Sequence, residues 1–150
     1  STGHPVVGQR LVRRLVPGGE PYQSDNVETD AIKQAIGGLL PPEEAVIAKV
    51  AQDLGYETLP LATQNAYTLM KGKASPQAPE GLKGRLGLYE VFSVTEQIQD
   101  LILKQSTSGE IQKMAQAQGM VSMRQDGYLK ALAGMTSVAE VNRVAAESAA

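Results

Sequence analysis

Apolar residues recur at helical spacing up to residue 55 and again from residue 95, while the stretch between mixes alternation with Gly, Pro and Tyr. Val7, Leu11 and Leu15 stand four apart, Arg10, Arg13 and Arg14 group on another face, and Pro17-Gly18-Gly19 ends the run. This predicts a short N-terminal amphipathic helix within residues 1–22. Asp25 followed three residues on by Glu28 has the form of a capping box, and Val27, Ala31, Ile32, Ala35 and Ile36 continue as a helix until Gly37-Gly38. Pro41-Pro42-Glu43-Glu44 suits a first turn, and Val46, Ile47, Val50, Ala51 and Leu54 form a third helical stripe before Gly55. Periodicity then lapses. Residues 56–73 predict irregular chain with a strand near 67–70, and residues 71–84 an exposed loop rich in Gly, Pro and Lys. Arg85, Gly87, Tyr89 and Val91 alternate with Leu86, Leu88, Glu90 and Phe92, which predicts a second strand pairing antiparallel with the first.

The last third carries the clearest signals. Thr95 opens one helix, and Thr107 with Glu110, Ser122 with Gln125 and Ser137 with Glu140 are capped starts of three more. Gly119 and Gly134 stand where left-handed caps end helices. Four short helices are expected over about residues 95–147, with the tail 148–150 frayed. Leu101, Ile102, Ile111, Met114, Leu129, Leu132, Val141 and Val144 form inward stripes, with Lys130 on the opposite face. Met114, Met120, Met123 and Met135 read as flexible core filling. The fold class is α+β, mainly α: a short antiparallel β-pair with a C-terminal bundle of about four short helices. Residues 1–22, 23–84 and 85–147 are its three parts, the second holding a helical insert, an extended segment and the exposed loop.

At 150 residues the chain suits one domain, and with 4% aromatic residues its core must be aliphatic. A formal charge of −2 argues against a nucleic-acid binder, although residues 1–22 and 58–85 are basic in excess and 23–57 acidic. The absence of Cys excludes disulfides, thiolate catalysis and Cys-based zinc sites. No apolar run reaches the roughly 18 to 20 residues that cross a bilayer, so no membrane insertion is expected. A single His4 cannot build a histidine metal site, and residues 1–4 are read as candidate tag sequence. Gly72-Lys73 is followed by Ala74, so the phosphate-loop pattern is missing. Glu43-Glu44 complements a helix dipole better than it serves acid–base chemistry. No catalytic, cofactor-binding or metal-ligating residue is assigned. Arg10, Arg13, Arg14 and Arg85 stand as candidate interface residues, because grouped guanidinium groups clamp phosphates or carboxylates, with a solvated face as the plainer alternative.

Three blocks, QRLVRRL (9–15), GRLGLYEVFSVTEQIQDLIL (84–103) and AQGMVSMRQDGYLKALAGMTSVAEV (117–141), resemble the hexameric secretion-type ATPases, and most of all their type IV pilus assembly and type II secretion branch. The resemblance implies a cytoplasmic motor, peripheral to the inner membrane, that couples ATP hydrolysis to pilus or pseudopilus assembly through an inner-membrane platform protein. Similar proteins carry two C-P-x-C segments that bind zinc. Here they read Val16-Pro17-Gly18-Gly19 and Ser75-Pro76-Gln77-Ala78, so every zinc ligand is replaced and no zinc is expected. The phosphate loop and the acidic Mg²⁺-binding segment are not in this chain, while Thr2-Gly3-His4 matches a short family stretch. The resulting expectation is a C-terminal fragment of such a motor, inactive alone, with ATP and Mg²⁺ held by the parent and contacts to other subunits and the platform protein. The alternative is a free-standing, non-catalytic interaction module.

Overall fold

The computed structural model describes residues 6–92 and 94–149. His4 and the rest of residues 1–5 lie outside them. The order of elements is β1 (Val6–Leu15), β2 (Pro21–Gln23), α1 (Asn26–Ile36), a 3-10 turn (Glu44–Val46), α2 (Ile47–Leu54), β3 (Thr68–Met70), β4 (Leu82–Phe92), α3 (Glu96–Leu103), α4 (Ser108–Ala117), α5 (Met123–Leu132) and α6 (Val138–Ala149). The α+β, mainly helical class is as expected.

The first segment corrects the sequence reading: residues 6–15 are a strand, not an amphipathic helix. Residues four apart share a face of a strand as well as of a helix, so the Val7, Leu11, Leu15 spacing could not decide between them. β-branched Val6, Val7 and Val12 favour the extended form. The strand buries Val12 to 1% exposure and leaves Leu11 46% exposed, the reverse of the helical assignment. A second correction follows from it. β4 pairs with β1, from Val6↔Phe92 to Leu15↔Leu82 with an irregularity between Arg13 and Leu15, and does not pair with β3. β3 instead pairs with the three-residue β2, Tyr22 opposite Leu69.

Helix starts follow the predicted caps. The Asp25 and Glu28 side chains exchange bonds with each other's backbone N–H at 2.7 and 3.0 Å. Ser122 and Gln125 form the same reciprocal box at α5, while Thr95 and Thr107 cap α3 and α4 by accepting the N–H of Ile98 and of Glu110. Gly119 and Gly134 adopt positive φ directly after their helices.

One aliphatic core joins the ribbon to the helices: Val12, Leu86 and Leu88 from β1 and β4, Ile32 and Ile36 from α1, Leu129 from α5, and Val141 and Val144 from α6. Two tyrosines are fully buried within it. The Tyr67 hydroxyl donates to the Leu61 and Ala62 carbonyls, and that of Tyr128 to Asn142, which satisfies the polar tips inside apolar surroundings. Gly127 sits where α5 crosses α6. A Cβ there would lie 2.5 Å from Val141 Cγ1 and 3.0 Å from Leu88 Cδ1, so the close approach of helix, helix and strand requires glycine. The four C-terminal helices pair as α3 with α4 and α5 with α6, the second pair packed on the ribbon. Ile98 and Ala115 fill the first pair, whereas Ile102, expected to point inward, is 48% exposed beside Leu103 at 73%.

Candidate functional site

Of the four arginines singled out in the sequence, one is built into the fold. Arg13 leaves β1 to meet Glu140 on α6: its Nε and Nη2 donate to the two carboxylate oxygens at 3.3 and 3.0 Å, and its backbone N–H donates to Oε1 at 2.8 Å. Its remaining Nη1 reaches Glu80, in the loop before β4, at 2.8 Å. Thr136 Oγ1 donates to the Arg13 carbonyl at 2.8 Å and Leu15 N–H to the Met135 carbonyl at 3.0 Å. One residue thus ties a strand, a loop and a helix together. The Glu140 side chain is only 5% exposed, and Arg143 also donates to it at 3.1 Å. Burial pushes its carboxyl up, but the bonds from Arg13 and Arg143 outweigh burial and hold it down at about 2. The same bonds to Glu140 and Glu80 raise the already high pKa of Arg13.

The other three arginines are exposed and do not join this cluster. Strand alternation places Arg10 and Arg14 on the face opposite Arg13, which undoes the single basic face of the helical reading. Arg14 Nε donates to the Arg85 carbonyl at 3.2 Å, and Arg85 is the cross-strand partner of Arg13. Sequence reasoning missed Glu140, Glu80 and Thr136. The only signal for Glu140 was its place three residues after Ser137, where its N–H does donate to Ser137 Oγ at 3.1 Å while the carboxylate turns to the arginines.

The loops at residues 16–19 and 75–78, which the sequence analysis set against a zinc motif, are joined through backbone. Val16 N–H donates to the Gly81 carbonyl at 2.8 Å, Lys73 N–H to Val16 at 3.0 Å, and Lys71 N–H to Glu20 at 2.9 Å. Ser75 and Ala78 close the second loop on itself with reciprocal bonds of 3.0 and 3.1 Å. Gly19 lets the first loop lie on the second: a Cβ there would stand 1.8 Å from the Lys71 carbonyl oxygen. Val16, Gly19, Ser75 and Ala78 offer no thiolate or imidazole.

Lys130 is the second correction among charged residues. Its side chain is 14% exposed and not on a solvated face. The ammonium donates to Asp126 at 2.7 Å and to the Gly87 carbonyl at 2.8 Å, and lies 4.8 Å from the centre of the Tyr89 ring. Asp126 in turn accepts the Tyr89 N–H at 2.9 Å. Together they clamp α5 on the outer edge of β4. A hollow of about 320 Å³ opens between α4 and the start of α5, lined by Ile111, Ala115, Met120 and Val121. Gln125 at its wall is already bonded to the Ser122 N–H and the Ala35 carbonyl.

These features define an α+β packing unit in which buried charge holds strands, loops and helices together. The chain belongs to the type II/IV secretion system protein family, whose model matches residues 1–143. It is 29% identical over 142 residues to a type IV pilus assembly ATPase PilB of Acinetobacter baylyi, covering 95% of this chain and 21% of that protein. It is 32% identical to a type II secretion system protein E of Xanthomonas campestris pv. campestris, covering 96% of this chain and 21% of the relative. A PilB of Pseudomonas aeruginosa is 36% identical over 93 residues, 62% of this chain and 16% of that protein. The chain spans about a fifth of the length of these relatives.

Proposed function

We propose that this chain is the C-terminal part of a cytoplasmic ATP-driven motor for type IV pilus assembly or type II secretion, peripheral to the inner membrane, in which it packs subunits and transmits force. The relatives named as pilus assembly ATPases and type II secretion E proteins support that reading, as does the absence, among the described residues, of a helix long and apolar enough to cross a membrane. ATP and Mg²⁺ are bound by the parent, because this chain carries no G-x-x-x-x-G-K-[ST] loop to cradle the phosphates. Its partners are other subunits of the motor and the inner-membrane platform protein.

The observation that carries the reading is the division of labour among the arginines. Arg13 is spent on internal structure, while Arg10, Arg14 and Arg85 present cations at the surface of the β1–β4 ribbon. In a full-length subunit carrying this sequence, Arg10→Ala, Arg14→Ala and Arg85→Ala should each lower ATPase rate or pilus assembly several-fold with an unchanged melting temperature. Wild-type rates and normal oligomers in all three variants would contradict the proposal.

A further inference from the structure

The hollow between α4 and the start of α5 adjoins a second one. The first, of about 320 Å³, has apolar walls of Ile111, Ala115, Met120 and Val121. The second, of about 260 Å³, lies between the end of α1 and α4, where Gln34 and Lys113 stand beside Gly38 and Gly109. Gln112, Gln116 and Gln125 line both, so the two hollows meet along α4. Gln125 is buried and fixed by its bonds to Ser122 and Ala35, which makes that wall rigid. The side chains of Gln112, Gln116 and Lys113 make no hydrogen bond or ion pair among the described residues, which leaves two amides and a cation to meet a ligand. Charge is ordered along the site: Glu90 borders the apolar hollow alone, and Lys113 the polar one alone.

We propose that the paired hollows bind a small free amphiphile with one anionic head and a short apolar body, the class of a medium-chain carboxylic acid. Small-ligand sites combine apolar walls with a few placed polar groups in roughly 300–1,000 Å³, a size the apolar hollow reaches by itself. The head lies beside Lys113, where an ammonium and glutamine N–H groups donate to a carboxylate. The body lies against Ile111, Ala115 and Val121. The reverse orientation would set the head against Glu90, and like charges repel. A membrane lipid of the same chemistry is not favoured, because residues 86–150 carry five Lys and Arg against seven Asp and Glu, and an acidic surface is not drawn to anionic headgroups. The walls come from α1, α4, α5, their flanking turns and Glu90 of β4, so the inference holds whether or not the motor reading does.

The test is an NMR titration of the whole chain with octanoate below its micelle concentration, and with octylammonium as the cationic control. Octanoate should shift the Gly38 and Gly109 amides at one hollow and the Ala115 and Val121 amides at the other, all saturating with one affinity, and octylammonium should not. Affinity should rise from butanoate to hexanoate to octanoate, by about fourfold for each methylene that becomes buried. Lys113→Glu, at an exposed position, should weaken octanoate several-fold, while Lys113→Arg keeps it. No saturable shift, equal binding of octylammonium, affinity independent of chain length, or unchanged affinity in Lys113→Glu would each overturn the proposal. So would shifts produced by phosphatidylglycerol vesicles and not by octanoate, which would assign the site to a membrane surface.

Discussion

Glu140 shows how one buried carboxylate fixes the path of three segments. Hydrogen bonds to charged groups contribute about 1.5–3 kcal/mol each, and Glu140 accepts from Arg13 and Arg143 while shielded from water. Glu140→Gln should therefore lower stability at pH 7 by about 2 kcal/mol in urea denaturation, whereas Arg10→Ala should stay within about 0.5 kcal/mol of wild type. The pH dependence has a definite sign. The carboxyl lies at about 2 in the folded chain against an ordinary 4.5, so its contribution is complete above 4.5 and is lost as pH falls from 4.5 toward 2. The gap between wild type and Glu140→Gln should narrow over that window; a constant gap would show that the carboxylate is not what stabilises the fold. Gly127 gives a second test. Gly127→Ala should cost about 1–3 kcal/mol by overpacking Val141, while Gly109→Ala, in the open first turn of α4, should add about 0.4–1 kcal/mol. Neither residue's environment was legible in sequence, because a long-range contact leaves no periodic trace: Glu140 lies 127 residues from Arg13.

Elements marked by local chemistry were legible, and those marked only by spacing were not. Helices α1, α3, α4 and α5 start at the caps written into the sequence, because an N-cap satisfies its own helix within three residues. β1 failed that route: its stripe at i+4 fits both periods, and its partner residues lie 67 to 86 positions on. Once β1 was taken for a helix, β4 had no partner left except β3, and the pairing error followed. Lys130 was misplaced for a related reason, since a helix wheel does not reveal that the edge of β4 runs beside α5. Lys130→Ala should cost about 1–3 kcal/mol and speed exchange at the Tyr89 amide. Wild-type stability in that variant would mean the clamp contributes nothing. The α3–α4 pair packs on itself and exposes Ile102 and Leu103 at its end, so its amides should exchange faster than those of α5, which is packed on α6, α1 and β4.

At the scale of the whole molecule, the α+β class and the family were legible because the three matching blocks fall on β1, on β4 with α3, and on α5 with the start of α6, the parts that build the core and the second helix pair. The packing of the loops at residues 16–19 and 75–78 was not, since side-chain identities there leave no trace of the backbone bonds that join them. Backbone bonds from Val16, Lys71 and Lys73 hold the two loops together with glycine at the crossing. The melting temperature should accordingly be the same in purified chain before and after exhaustive chelation, where a structural zinc contributing on the order of 10 kcal/mol would make a large difference. The central claim is that nucleotide chemistry belongs to the parent motor and that this chain contributes packing surface. Its most direct test is the rate of phosphate release from Mg²⁺-ATP by the pure, folded 150-residue chain. The account predicts a rate equal to that of buffer without protein; turnover above that control, proportional to chain concentration, would contradict it.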